Sequence, residues 1–509
     1  MVDMSRRDFV KITGTGLALA TLPGFIRSGF ASDSPGNNPY NFYFQRFGID
    51  EDTVQKVMAE ALHYGGDYCD LFFENKLSNS IRLQDNIVNS ASTNVSLGVG
   101  IRVLKGDQTG YSFTEDISLQ SMKAAARTAA TIASGSPKMA PQTFNATKLM
   151  NYYDTKVSWE DVGVKDKVEM LQSINDDVFK EDPRVVKSSI YFSDSETYIL
   201  VVNSEGGLAT DYQPMLYIGV SCTAEEDGRR ENNGFNFSAR DDISFLTPER
   251  LKRLPKEAVA RTVNLFEAIS PQAGELPVVL AAGSSGILLH EAIGHGMEAD
   301  FNRQGISVFS EMIDKKVAEP FVNIVDNGMN PFTRGSINVD DEGVPSQETM
   351  LVEDGILRSY LHDRISAKHY GVETTGSGRR ESFKHYPMPR MRNTYMTNGP
   401  HTFEEMVSSV DYGIVAEQFT NGQVNIGPGD FTFYVKAGHL IENGKITAPI
   451  KDVNIIGNGP EVLGRITMVA NDMKMAEGGW TCGKNGQGVP VSMGLPSVLV
   501  SAITVGGRG

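Results

Sequence analysis

The chain has 509 residues, 40% of them hydrophobic, enough for at least two domains with a core each. Its 47 basic and 63 acidic residues leave a formal charge of −16, so it lacks the basic footprint needed to neutralise nucleic-acid phosphates, and nucleic-acid partners are set aside. After the first thirty residues no apolar run reaches the length of a membrane span.

The N-terminus reads Ser5-Arg6-Arg7-Asp8-Phe9-Val10-Lys11, followed by a mildly apolar stretch interrupted by Thr, Gly, Pro and Arg and ending near Ala31. This pattern predicts a twin-arginine export signal over residues 1–31, cleaved after about Ala31 and leaving no stable membrane anchor. The expected location is periplasmic or otherwise extracytoplasmic, and that route carries proteins already folded. Only Cys69, Cys222 and Cys482 are present, so a dense disulfide framework is excluded even in an oxidising compartment. An odd count suits one thiolate kept for a metal, and pairing of Cys69 with Cys222 cannot be read from their spacing.

Residues 32–46, rich in Ser, Asn, Pro and Gly, read as a loose leader. Val54, Val57, Met58, Ala61 and Leu62 then fall on one helical face, behind acidic residues at 50–52 that suit a helix N-terminus. From Cys69 to Phe113 the period becomes two: Val95, Leu97, Val99, Ile101 and Val103 alternate with polar or small residues, and Lys105-Gly106-Asp107 reads as a hairpin turn. Helices are predicted over residues 119–133 and 165–179, strands over 188–192, 198–202 and 216–223, and a further helix after Thr247-Pro248 carrying Val259, Val263 and Phe266. These elements predict an α+β fold. Residues 32–270 form an N-terminal mixed domain with helices packed on an antiparallel sheet, and Ser270-Pro271 marks the boundary to a mostly β C-terminal domain over residues 271–509.

The second half opens on a buried strand at 276–282, a Gly283-Ser284-Ser285-Gly286 turn and a helix carrying His290-Glu291-Ala292-Ile293-Gly294-His295. Two imidazoles flanking a carboxylate are the parts of a hydrolytic metal site. The histidines stand five apart rather than the usual four, and an ideal α-helix would splay them by roughly 140°, too far to share one ion. A π-bulge restores the alignment, so the helix is expected to be wide or broken near Gly294, where glycine offers little steric resistance.

Cys482 lies in the distant Gly-rich run Gly478-Gly479-Trp480-Thr481-Cys482-Gly483-Lys484. A His290, His295, Cys482 set would leave a fourth position open, as catalytic zinc sites do. Its mixed nitrogen and sulfur donors favour zinc without excluding iron or cobalt. Glu291 is the candidate general base. Glu298 and Asp300 are candidates to accept the second N–H of a ligating histidine, or else solvated carboxylates late in a helix.

The chain resembles the TldD/PmbA metallopeptidase family, on the side that keeps the metal motif. The resemblance rests on residues 290–300, Asp340-Asp341-Glu342-Gly343, Thr375-Gly376-Ser377-Gly378-Arg379-Arg380, Pro389-Arg390-Met391-Arg392-Asn393-Thr394, Cys482-Gly483-Lys484-Asn485-Gly486-Gln487 and Ile503-Thr504-Val505-Gly506-Gly507. It implies zinc held by His290, His295 and Cys482, with Glu291 as catalytic base. It also implies dimers enclosing a narrow-mouthed cavity that admits unfolded peptides in extended form. The partner is either a second copy or a homologue lacking the metal motif.

The export signal departs from a family whose described members are cytoplasmic. Two other readings remain open: a non-catalytic assembly subunit with a structural metal, and an amidohydrolase acting on a non-peptide amide. Arg379, Arg380, Arg390 and Arg392 either position substrate or bind loop carbonyls, with the second role preferred for most. The Asp340 to Gly343 run is either a second cation site or a capped turn.

Overall fold

A computed structural model describes residues 39–507 apart from Ser134, Lys138 and Ile426, so the expected export signal lies outside the described residues. Within them Pro39–Phe47 is a helix (α1), which corrects the loose leader expected there. Tyr40, Tyr43, Phe44 and Phe47 repeat at i, i+3, i+4 and i+7, and this aromatic stripe packs on the core, with Phe44 and Phe47 buried.

The first half continues through α2 (Glu51–Leu62), β1 (Tyr68–Gln84), β2 (Ile87–Lys105), β3 (Gln108–Thr114), α3 (Leu119–Ala130), β4 (Asn145–Ala146), α4 (Val164–Glu181), β5 (Val185–Asn203), β6 (Gly207–Glu226), β7 (Arg229–Ala239) and α5 (Pro248–Val263). The sheet runs in the order β3-β2-β1-β5-β6-β4, with β7 on β6, and only β4 pairs in parallel. Asp50 caps α2 by accepting the Thr53 N–H, and Thr247 caps α5 by accepting that of Arg250.

One face of this sheet carries two apolar clusters, one at each end of its long strands. Leu71, Phe73, Val99, Ile101, Leu200 and Val202 pack under α1, α2 and α3. Ile81, Leu83, Ile190, Phe192, Leu216 and Ile218 pack with α4 and α5. Between the clusters the same face is polar and largely hydrogen-bonded: Lys167 Nζ donates to Asp194 Oδ2 at 2.6 Å, and the Trp159 N–H to Glu196 Oε1 at 2.7 Å, while Glu196 Oε2 is buried without a partner among the described residues. This polar middle is why residues 188–192 and 198–202 read as two strands, whereas β5 runs through both with its ladders to β1 and β6 kept.

After Phe266 the chain enters two further seven-stranded sheets, beginning with β8 (Gly274–Leu280), and a small two-stranded one pairing Gly378–Arg379 with Met388–Pro389. In one large sheet, β8 lies between Tyr412–Asn425 and Val498–Gly507, the strands Val453–Asn458, Asp430–Glu442 and Lys445–Ile450 continue from Val498–Gly507, and Asp430–Glu442 also pairs antiparallel with Tyr412–Asn425. In the other, Gln487–Leu495 pairs with Asn393–Met396, Lys474–Met475 and Trp480–Lys484. The helical segment opened at Gly286 is buried between these sheets. Ile287, Leu289, Ile293 and Met297 share a core with Val278 and Leu280 on one side and with Val491 and Met493 on the other. The whole is α+β, with the C-terminal half mostly strand.

The two halves meet through buried charge. Arg102 on β2 bridges Asp70 Oδ2 at 2.6 Å and Glu342 Oε1 at 2.7 Å, and all three side chains are sealed from solvent. Asp340 Oδ1 accepts the N–H groups of Glu342 and Val344, and Asp341 Oδ2 accepts that of Arg380. The acidic run is thus a capped turn docked into the interface between the halves.

Candidate metal centre

Gly286–Leu289 begins as one α-helical turn, and His290–Gly294 then widens into a π-helical turn. Its diagnostic bond is present: the His295 N–H donates to the His290 carbonyl, five residues back. A tight turn over His295–Met297 ends the segment before the short helix Ala299–Arg303. The expected widening is therefore observed, but glycine serves it differently from the sequence argument. Gly294 has ordinary helical dihedrals (φ −59°, ψ −47°), and a Cβ there would lie 2.1 Å from Met391 Sδ. It is needed for close packing rather than for an unusual backbone.

The π-turn sets the two imidazoles with ring centroids 5.2 Å apart. Cys482 arrives on the strand Trp480–Lys484, whose alternation turns Cys482 and Lys484 inward. Arg390 holds that strand by donating from Nη2 to the Cys482 carbonyl at 2.5 Å. One ligand-type atom from each of His290, His295 and Cys482 lies within 4.8 Å of the others, and all three residues are buried.

The donor set fits a metal ion on two further observations. Both ring nitrogens of His290 are buried without any hydrogen-bond partner among the described residues, a costly state for an imidazole unless something binds it. Cys482 Sγ and His295 Nε2 stand 3.4 Å apart, against about 3.5 Å expected between sulfur and nitrogen donors on one tetrahedral zinc. Burial alone would raise the Cys482 thiol, but the His295 and His290 imidazoles beside it hold it well below its ordinary range. The group is thereby poised as a thiolate.

Glu298 accepts from His295 Nδ1 at 2.8 Å, which leaves Nε2 facing the cluster. Against its own burial Glu298 is held down to about 2 by Lys484 and then His295. Lys484 Nζ lies 3.1 Å from Glu298 and 2.7 Å from Asp300, and donates to the Pro389 carbonyl. Asp300 thus serves the lysine and not a histidine, which corrects one of its two expected roles. Glu291 sets Oε2 3.7 Å from His295 Nε2 and keeps 22% of its side chain exposed, unlike the sealed histidines. It is the group of this cluster that water can reach.

The arginines mostly do as the packing reading expected. Arg392 binds Asp326 and the Gly376 carbonyl, Arg379 the Met391 and Pro490 carbonyls, and Arg380 the Asp341 carbonyl. Cys69 and Cys222 are unpaired and buried. Among the described residues no helix is long and apolar enough to cross a membrane. Sequence reasoning missed Lys484, although its position two residues beyond Cys482 on a strand places it on the same face.

An α+β protein with a buried two-histidine, one-cysteine cluster on a π-turn, and an adjoining accessible glutamate, has the parts of a metallopeptidase. Comparison with known proteins names the group. The chain matches the PmbA/TldA metallopeptidase domain 1 over residues 69–133, the central domain over 158–266 and the C-terminal domain over 273–507. It is 40% identical over 466 residues to a metalloprotease TldD homolog of Buchnera aphidicola, covering 90% of this chain and 96% of that protein. A zinc metalloprotease TldD homolog of Saccharolobus solfataricus is 27% identical over 476 residues, 89% of this chain and 99% of that one. The crystal structure of a candidate modulator of a DNA gyrase from Thermotoga maritima superposes with a TM-score of 0.74 at 23% identity, covering 91% of this chain and all of that one. This chain belongs to the PmbA/TldD metallopeptidase family.

Proposed function

We propose that this protein is a zinc-dependent peptidase that hydrolyses unfolded peptides, with His290, His295 and Cys482 as metal ligands and Glu291 as general base. The observation that carries the reading is the convergence of those three side chains, with both His290 nitrogens left unpartnered in a sealed setting. A zinc ion held there would polarise a scissile carbonyl and make water a stronger nucleophile near neutral pH.

The chain's own groups supply the rest. The Glu291 carboxylate takes a proton from the attacking water and returns it to the leaving amine. Glu298 fixes the His295 tautomer by accepting from Nδ1, and Lys484 neutralises that buried carboxylate. The reading includes export by the twin-arginine route to the periplasm, and a dimer, of two copies or with a homologue lacking the metal motif, that encloses the cavity.

Digestion of an unstructured peptide mixture and of a folded protein, each with protein as purified, chelated and reloaded with zinc, tests the proposal. Peptide cleavage that is lost on chelation, regained with zinc and absent for the folded protein is expected. Turnover indifferent to chelation would refute it, and turnover confined to a non-peptide amide would replace the peptide substrate.

A further inference from the structure

Above the strand pair that bears Cys482 lies a cavity of about 560 Å³, floored by the helix-free face of the first sheet and lined by Glu74, Gln213, Tyr217, Arg240, Arg334 and Arg379 among others. Its size falls in the usual range for ligand pockets, roughly 300–1,000 Å³. Two of its arginines are fixed on the Cys482 strand and the strand beside it. Arg334 donates to the Trp480 carbonyl at 2.8 Å, to Ser238 Oγ at 2.7 Å and to Thr481 Oγ1 at 3.4 Å. Arg379 donates to the carbonyls of Pro490 and Met391 at 2.8 and 2.7 Å. Thr481 and Pro490 face each other across the ladder, and the next pair is Cys482 with Val489. Both cations are therefore anchored on the hairpin that carries Cys482, on the face opposite the Cys482 side chain.

Arg240 is different. It is only 2% exposed, yet among the described residues its guanidinium forms no hydrogen bond or ion pair, and Nε is buried without a partner. Its guanidinium lies over the Tyr153 ring, 5.4 Å from the centroid. The nearby carboxylates are engaged elsewhere: Asp341 accepts the Arg380 N–H, and Asp211 accepts from Tyr153, Gln213 and Asn338. Glu74, pushed up to about 7 by burial, accepts the Phe383 N–H at 3.1 Å. Burial, and then the charge of Arg240, brings Arg334 down to about 10 and Arg379 down to about 9. Arg240 and Arg379 are buried and Arg334 half-buried, and Asp341 in the same lining offsets part of their charge, so the buried, unpartnered Nε of Arg240 is the polar group an anion would complete.

We propose that this cavity is a carboxylate-binding subsite for the peptide substrate, with Arg240 as the contacting residue and Arg334 and Arg379 held beside it; the proposal rests on the peptidase reading above. A planar guanidinium with free N–H groups matches a carboxylate in a two-point contact. The carboxylate is either the C-terminus of the peptide or an acidic side chain. The subsite gives the enzyme a preference for acidic or C-terminal segments that the metal centre alone does not supply.

Calorimetric titration of zinc-loaded Glu291→Gln protein, in which peptides persist, with three forms of one unstructured peptide tests this. The forms carry a glutamate and a free C-terminus, a glutamate and a C-terminal amide, and a glutamine and a C-terminal amide. The last form is expected to bind about ten- to hundredfold more weakly than the first, and the middle form shows which carboxylate is read. Adding Arg240→Met should bring all three forms to the weak level, while Arg240→Lys keeps part of the preference. The peptide-free melting temperature of the Arg240→Met protein should be unchanged or higher, since a buried cation whose Nε has no hydrogen-bond partner is removed. Equal binding of the three forms with Arg240 intact, or a preference that survives Arg240→Met, would overturn the subsite and leave the peptidase reading standing. Failure of every form to bind would overturn both.

Discussion

Glu291→Gln is expected to lower peptide turnover by about 10²- to 10⁴-fold while leaving the metal content at the wild-type level. Glutamine keeps the shape of the side chain and its position beside His295 but cannot accept a proton from water. The carboxylate is not among the three clustered ligand groups, and its partial exposure places it toward solvent rather than inside the cluster. Steady-state cleavage assays with parallel metal analysis check the result. Full activity in Glu291→Gln would transfer the base to another group. Loss of metal together with activity would make Glu291 a ligand.

Arg102→Met is expected to give the largest loss of stability, about 3–5 kcal/mol in chemical denaturation. The arginine faces Asp70 from its own domain and Glu342 from the other, with no solvent to take over when it is removed. Two buried carboxylates would be left with less than their charge requires, although Arg380 Nη2 still reaches Asp70 Oδ1 at 3.3 Å. The triple variant Asp70→Leu, Arg102→Met, Glu342→Leu removes the charges together and should recover much of the loss, because the penalty lies in the orphaned ions. A single Arg102→Met variant as stable as wild type would show that this network does not hold the domains together.

Much of the metal centre was legible because its geometry is local. A five-residue spacing between His290 and His295 forces a π-turn if both are to face one point, and that turn is present with its i to i+5 bond. Cys482 was legible only as a lone thiol in a glycine-rich setting. What brings it to the histidines is the pairing of Trp480–Lys484 with Gln487–Leu495, a long-range contact that no local pattern encodes.

The same limit hid the cavity arginines. Arg240 and Arg334 lie in neighbourhoods that do not distinguish them from surface cations, and Arg379, read in its motif as positioning substrate or binding loop carbonyls, is far from both in sequence, so the shared cavity was not legible. Helix α1 was missed for another reason. Its polar and proline-rich approach masked the Tyr40, Tyr43, Phe44, Phe47 repeat that sets its buried face. In β5 a buried polar middle was read as a break because alternation was sought in apolar residues alone.

Metal analysis of the purified wild-type protein beside Cys482→Ser tests the central convergence most directly. Zinc at about one ion per chain in the wild type and far less in the serine variant, with both proteins folded by circular dichroism, is the predicted result. Equal metal in the two proteins, or a folded wild type that takes up none, would contradict it.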